Sequence, residues 1–379
     1  MGYVVQAAVN NFIPLLFVFF NGAFGIPLSR ITLLVTVNFA VQLLVDLLSA
    51  GFVDKIGYKR TVILADIMAA SGMICLGTLP YIIDPYTGLL ISILIYAIGG
   101  GLLEVVVSPI VEACPSDHKS GVMSLLHSFY CWGHVAVVLL STLFFAVFGM
   151  ENWRFAAFLW AIVPLTNLIY FAGAPIPDII SEGNKAGFKE LLKRKLFWLV
   201  FILMLCAGAA EQSMSQWASA FAEKGLNIPK SAGDLLGTCM FAVLMGTSRL
   251  LYSVISKRTS LKNMMLISSA LCILSYIIAG CVQNPAVALA GCGLCGFSVG
   301  IMWPGTLSLS AKRIPVGGTA MFALLALGGD IGCSAGPTLV GFVSEAADDN
   351  LKLGLLAAII FPLVLMVGIA ALKQRSKRA

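Results

Sequence analysis

A chain of 379 residues that is 59% hydrophobic and only 11% charged cannot cover a water-soluble surface, so its solvent must be largely lipid. Long continuous apolar runs exclude a closed β-barrel, which needs alternating polar and apolar residues, and leave an all-α polytopic membrane protein. The net charge of +6 does not indicate a nucleic-acid partner, because the placement of the basic residues has another logic.

Breaking the apolar runs at charge, Pro and Asn/Gly punctuation predicts twelve transmembrane helices, over residues 3–27, 31–53, 61–83, 86–112, 119–148, 153–176, 196–222, 232–256, 263–282, 286–311, 316–344 and 352–372. The expected organisation is an N-terminal six-helix bundle (1–177), a basic cytoplasmic linker (178–195) and a C-terminal six-helix bundle with a short basic tail (196–379). The first apolar run follows MGYVVQ, which lacks a basic n-region. That span is expected to be retained, and so short a leader is also what a truncated start would give.

Lys and Arg set the orientation. The even-numbered loops and the tail hold Lys55, Lys59, Arg60, Lys119, Lys185, Lys189, Lys193, Arg194, Lys195, Lys257, Arg258, Lys262, Lys312, Arg313, Lys373, Arg375, Lys377 and Arg378, against Arg30, Arg154, Lys224, Lys230 and Lys352 in the odd-numbered loops. Eighteen against five makes the even loops and both termini cytoplasmic, in a cell membrane. The halves also echo each other. Pro109 and Pro304, and Gly133 and Gly328, share one offset of 195 residues, as parallel six-helix repeats would.

The ten cysteines fall almost entirely inside apolar segments and read as small buried residues rather than disulfides. Cys292 and Cys295 form a CxxC, but within AGCGLCGF it suits close helix packing better than redox or metal chemistry. Stripes at Gly328, Gly332 and Gly336, and at Gly296 and Gly300, predict close helix approach, while Pro109, Pro304 and Pro337 permit bends. No metal set, no cofactor motif and no GxxxxGK[ST] phosphate loop occurs, so an ion gradient (H⁺ or Na⁺) is the expected energy source.

Ionisable residues at membrane depth are candidates for function: Asp46, Glu104, His127, Glu211, Arg249 and Asp330. Counting helical rise from the nearest charged boundary puts Asp46, Glu104, His127 and Arg249 about 12 Å inside the cytoplasmic edge, with Glu211 and Asp330 deeper. Asn38, Gln42 and Asp46 share one face of span 2, Gln6, Asn10, Asn11 and Asn21 enrich span 1, and Gln212 sits beside Glu211 in span 7. The expected substrate and coupling cavity therefore comprises Asn10, Asn11, Asn38, Gln42, Glu104, His127, Glu211, Gln212, Trp217, Trp303 and Asp330. A cation facing carboxylates at one depth suggests a cytoplasmic gate of Asp46, Asp54, Lys55, Gly57, Arg60 and Arg249; a purely structural Asp46–Arg249 ion pair is the alternative. His134 reads as a packing residue, and Asp66 and Asp234 as helix caps.

The run Asp54-Lys55-Ile56-Gly57-Tyr58-Lys59-Arg60 resembles the signature between helices 2 and 3 of the major facilitator superfamily, with Ala50 where that signature has glycine. Several further segments resemble the superfamily's fucose permease-like branch of sugar:proton symporters. They are GGGLLEVVVSP with Glu104, LLHSFYCWGH with His127, AEQSMSQW with Glu211 and Trp217, GTSRLL with Arg249, and GIMWPG with Trp303 and Pro304. The resemblance implies two six-helix bundles and associates the span-4 carboxylate, here Glu104, with proton-coupled sugar uptake. The carboxylate that the branch carries in span 1 is replaced by Asn10 or Asn11.

Three functions compete: an ion-coupled transporter of a small polar solute, with Tyr130, Trp217 and Trp303 as stacking candidates; an exporter of amphipathic or drug-like compounds; and a non-transporting sensor or intramembrane enzyme. The Asn/Gln/Glu-rich spans weigh against the second, and the absence of a convergent nucleophile or metal set against an enzyme. The expected partners are a small-molecule substrate and the lipid bilayer, for a monomeric chain.

Overall fold

The computed structural model describes residues 1–26, 28–116, 118–174, 188–256, 258–348 and 350–372. The expectations for residues 178–187, for Lys257 and for the basic tail lie outside the described residues, as do those for the side chains of Asn21, Asp54, Lys189, Lys224 and Lys230. Among the described residues every regular element is helical. Among the described residues ten helices are long and apolar enough to cross a bilayer and form spans 3 to 12: Tyr58–Tyr81, Pro85–Ala113, Lys119–Phe148, Met150–Gly173, Lys195–Glu223, Asp234–Ile255, Leu261–Cys281, Pro285–Arg313, Ala320–Ala346 and Leu351–Ala371. Span 2 is the helix Leu28–Ile56 with its apolar stretch at Leu33–Ser49. Span 1 is pieced together from Gly2–Asn11, a 3-10 turn Ile13–Leu16 and Phe17–Phe24. The architecture is thus twelve membrane helices in two pseudo-symmetric bundles of six.

Proline explains two interruptions. Pro14 lacks an N–H and crowds the carbonyl four residues back, so span 1 tightens to 3-10 there, a break within the expected continuous span 3–27. Pro304 does the same in span 10, which stops at Val299 and restarts at Met302. Pro109 and Pro337, by contrast, sit within continuous helices.

The two halves repeat their end chemistry. Asp84-Pro85 opens span 4 and Asn284-Pro285 opens span 10, each cap oxygen accepting from a backbone N–H, Thr87 N at 2.9 Å and Ala286 N at 3.0 Å. Lys59, at the start of span 3, donates to Ala174 O at the end of span 6 (3.0 Å), and Lys262, at the start of span 9, to Ala370 O at the end of span 12 (3.1 Å). Each lysine thereby satisfies an orphan helix carbonyl. A Cβ on Gly133 would meet Val4 and Ala7 of span 1, and one on Gly328 would meet Phe201 of span 7, the same helix pairing in both halves. Gly57, which turns the chain between spans 2 and 3, has φ +92°, a conformation that glycine adopts freely.

Asp66 and Asp234 are not helix caps. Asp66 lies eight residues inside span 3, is fully buried, and takes Asn167 Nδ2 of span 6 on both oxygens at 2.9 Å. Asp234 accepts from Ser219 Oγ and joins span 8 to span 7. All ten cysteines are free. The halves pack against each other along two seams, span 5 with span 8 and span 2 with span 11.

Candidate functional site

Between the halves lies a narrow cavity of about 40 Å³. Span 1 presents Tyr3, Gln6 and Asn10, at i, i+3 and i+7 of one helical face; span 2 adds Phe39, span 4 Glu104, and span 5 His127 and Tyr130. From the other half come Glu211 and Gln212 of span 7, Arg249 of span 8, Trp303 of span 10, and Asp330 with Cys333 of span 11.

The N-terminal wall is a hydrogen-bonded sheet of polar groups. Gln6 Nε2 donates to Glu104 Oε2. Tyr3 OH lies 2.7 Å from Ser108 Oγ and 3.3 Å from His127 Nε2, its ring against the imidazole. Asn10 Oδ1 accepts from both Asn38 Nδ2 (3.0 Å) and Gln42 Nε2 (2.8 Å), which binds span 1 to span 2 and fixes the Asn10 side chain toward the cavity. Asn11 turns aside and donates to Ala7 O (2.9 Å) and Tyr130 OH (3.2 Å).

The C-terminal wall centres on Arg249, 2% exposed. It donates from Nη2 to Glu211 Oε2 (2.9 Å), from Nη1 to His127 O (2.9 Å) and from Nε to Gly300 O (2.7 Å). The last bond follows from the chain: Pro304 has no N–H for the carbonyl four residues earlier, and Arg249 supplies the donor. The bond to His127 O ties the C-terminal half to the N-terminal one. The six-membered ring of Trp303 packs against Gly208 and Gly329, where a Cβ on either glycine would meet it.

Of the expected cavity residues, Asn10, Glu104, His127, Glu211, Gln212, Trp303 and Asp330 line the space, while Asn11, Asn38 and Gln42 stand behind it as supports. Trp217 does not belong; its indole N–H is spent on Pro337 O at 3.0 Å. Tyr3, Phe39 and Cys333 were not anticipated, because an aromatic or a cysteine in an apolar helix gives no signal of its own. His134 is buried outside the cavity, beside Tyr130.

The expected gate comes apart. Lys55 and Arg60 are exposed at the hairpin with Gly57, while Arg249 lines the cavity and pairs with Glu211 rather than with Asp46 or Glu104. Helix direction is the reason. Side chains lean toward the N-terminus of their helix. Arg249, on a span that ends at the hairpin face, reaches inward; Glu211, on a span that starts there, leans back to meet it. For the same reason Asp46 of span 2 meets Asp330 of span 11, although residue counting put them at different depths.

The family profile described as the Major Facilitator Superfamily matches residues 1–373. No curated protein sequence matches the chain. Solved structures similar to it include the E. coli fucose:proton symporter FucP, with a TM-score of 0.77 at 16% identity over 98% of this chain and 97% of that one. The human organic anion transporter MFSD10 (TETRAN) gives 0.75 at 15% identity over 97% of each chain. The proton:xylose symporter XylE bound to 6-bromo-6-deoxy-D-glucose gives 0.78 at 13% identity over 97% and 92%.

Proposed function

The chain belongs to the major facilitator superfamily, and from that premise we propose that it is a proton-coupled secondary transporter of a small, uncharged polar solute of sugar-like chemistry. The observation that carries this reading is Glu104: a buried carboxylate on the cavity wall whose hydrogen-bond donor is the neutral amide of Gln6, with no cation beside it among the described residues. A lone carboxylate in an apolar helix is costly when ionised and so is suited to carrying a proton.

Around Glu104 stand amides, a phenol and an imidazole that can both donate and accept, and the rings of Tyr3, Tyr130 and Trp303 offer faces for a sugar ring. Three carboxylates to one guanidinium line the space, which disfavours an anionic substrate. The polar lining likewise disfavours an amphipathic one. We place the hairpin, the linker and both termini on the cytoplasmic side of the cell membrane, the side that the excess of Lys and Arg selects, and the protein acts as a monomer.

Uptake into proteoliposomes under an imposed proton or sodium gradient, across sugars, sugar acids and drug-like cations, tests the reading. Glu104→Gln should abolish accumulation driven by a pH gradient yet keep exchange of substrate across the membrane. Proton-driven accumulation that survives the substitution removes Glu104 from the coupling.

A further inference from the structure

At the edge of the cavity lies a second acidic pair, Asp330 on its wall and Asp46 behind it. Asp46 on span 2 is fully buried, and among the described residues neither of its carboxylate oxygens has a hydrogen-bond donor; Asp330 Oδ2 on span 11 also lacks one. Yet the two carboxyl groups face each other within hydrogen-bonding reach, across one of the two seams that join the halves. Two buried acceptors in contact need something positive between them. Arg249 does not serve, being engaged by Glu211, Gly300 and His127. Among the described residues the other ionisable groups that bear on the pair are Glu104 of span 4, Tyr3 of span 1 and Cys333 of span 11, and none is a cation.

A metal ion fits poorly. The remaining unpartnered oxygens nearby in sequence are Asn38 Oδ1, Gln42 Oε1 and Ser49 Oγ, all on span 2. A hard cation such as calcium gathers about six to eight oxygens at roughly 2.3–2.6 Å. Asn38 and Ser49 stand about 16 Å apart along the helix axis, at ~1.5 Å per residue, so these groups cannot all converge on one ion. A proton needs only two oxygens, and the pair supplies them.

We propose that Asp46 and Asp330 are a proton-bridged acid pair that latches the two halves together on the hairpin side of the cavity, and that loss of the proton releases the latch. The bridging O–H of one carboxyl donates to the other; when the proton leaves to water, two carboxylates remain in contact in a low-dielectric seam and repel. Asp46 lies one turn beyond Gln42 toward the hairpin, so release opens the side opposite the span 1 to span 2 turn. This deepens the transporter reading and rests on it for its consequence, which is that a proton leaving toward the hairpin face would itself open that face.

Infrared difference spectra of the full-length protein in lipid nanodiscs, recorded from mildly acidic to alkaline buffer, need no substrate and therefore fail or succeed independently of transport. The expected result is a protonated-carboxyl band that disappears on alkalinisation and is absent from Asp46→Asn and from Asp330→Asn, while Glu104→Gln retains it. Pulsed spin-label distances between Lys55→Cys and Lys312→Cys, with Cys114→Ser and Cys281→Ser to remove the exposed native thiols, read the latch. The separation should widen at alkaline pH in the otherwise native chain. It should stay short at every pH in Asp46→Asn/Asp330→Asn, whose two amides remain neutral and can hydrogen-bond each other, and which carries the test if a single variant does not fold. The proposal is overturned by a band that survives both single substitutions, by loss of the band when sodium replaces potassium, or by a separation that ignores pH in the otherwise native chain.

Discussion

Arg249 shows what a single buried charge demands. Its guanidinium is hidden from solvent and held by one carboxylate and two backbone carbonyls on three different helices. Removing Glu211 leaves that cation without its counter-charge, and breaking a buried pair from one side costs about 3–5 kcal/mol. Glu211→Gln should therefore lower the thermal midpoint of the purified protein sharply. The double variant Arg249→Met/Glu211→Leu removes both charges and should recover much of the loss, which a thermal-shift comparison of the single and double variants would read. The identity of the buried ionisable residues was legible in the sequence, because a charge in an apolar run stands out. Their pairing was not, since pairing depends on which way each side chain leans from its helix, and spans 2, 7, 8 and 11 alternate in direction.

Helix seams are set by what is missing from glycine. A Cβ on Gly332 would collide with Leu205 O, and one on Gly336 would sit 2.6 Å from Ala209 O, so span 11 approaches span 7 backbone to backbone. Gly296 approaches Phe241 O of span 8 in the same way. Gly332→Ala should cost about 1–3 kcal/mol through overpacking, whereas Gly22→Ala, with nothing within 4 Å of the new carbon, should not destabilise the protein. Chemical unfolding in a fixed detergent would separate the two. The stripes were readable from spacing alone, but the breaks in spans 1 and 10 show the limit of apolar run-length, which passes straight through Pro14 and Pro304. Helix ends can be tested too. Asp84, outside the spans, accepts from Thr87 N and Thr87 Oγ1, and these bonds hold its carboxyl below the usual carboxylate range. A depressed value in the folded chain means its stabilisation is present above the ordinary carboxylate range and lost as pH falls through the lowered value. Asp84→Asn, which keeps the cap oxygen, should remove that acid sensitivity while retaining more helix stability than Asp84→Ala.

At the scale of the whole molecule, the two bundles touch near the hairpin face along both seams. Spans 2 and 11 meet at Asp46 and Asp330, and spans 5 and 8 meet where Gly121, near the start of one, faces Ser256, at the end of the other. Twelve spans were visible in the sequence; which ends of the bundles are in contact was not, because contact between halves is a property of their relative tilt and leaves no periodic trace. For the cavity to open to the hairpin face, both seams must separate. A Cβ placed on Gly121 lies 3.6 Å from Ser256 Cβ, within the roughly 3.5–4.5 Å that a disulfide spans. Gly121→Cys/Ser256→Cys should therefore cross-link the halves on oxidation. The oxidised protein should still bind substrate from the face opposite the hairpin, yet turn over no faster than empty liposomes, and reduction should restore transport. Full transport by the cross-linked protein would mean that the cavity opens without parting spans 5 and 8, and a rocking of two rigid bundles would then be the wrong description of how this chain moves its solute.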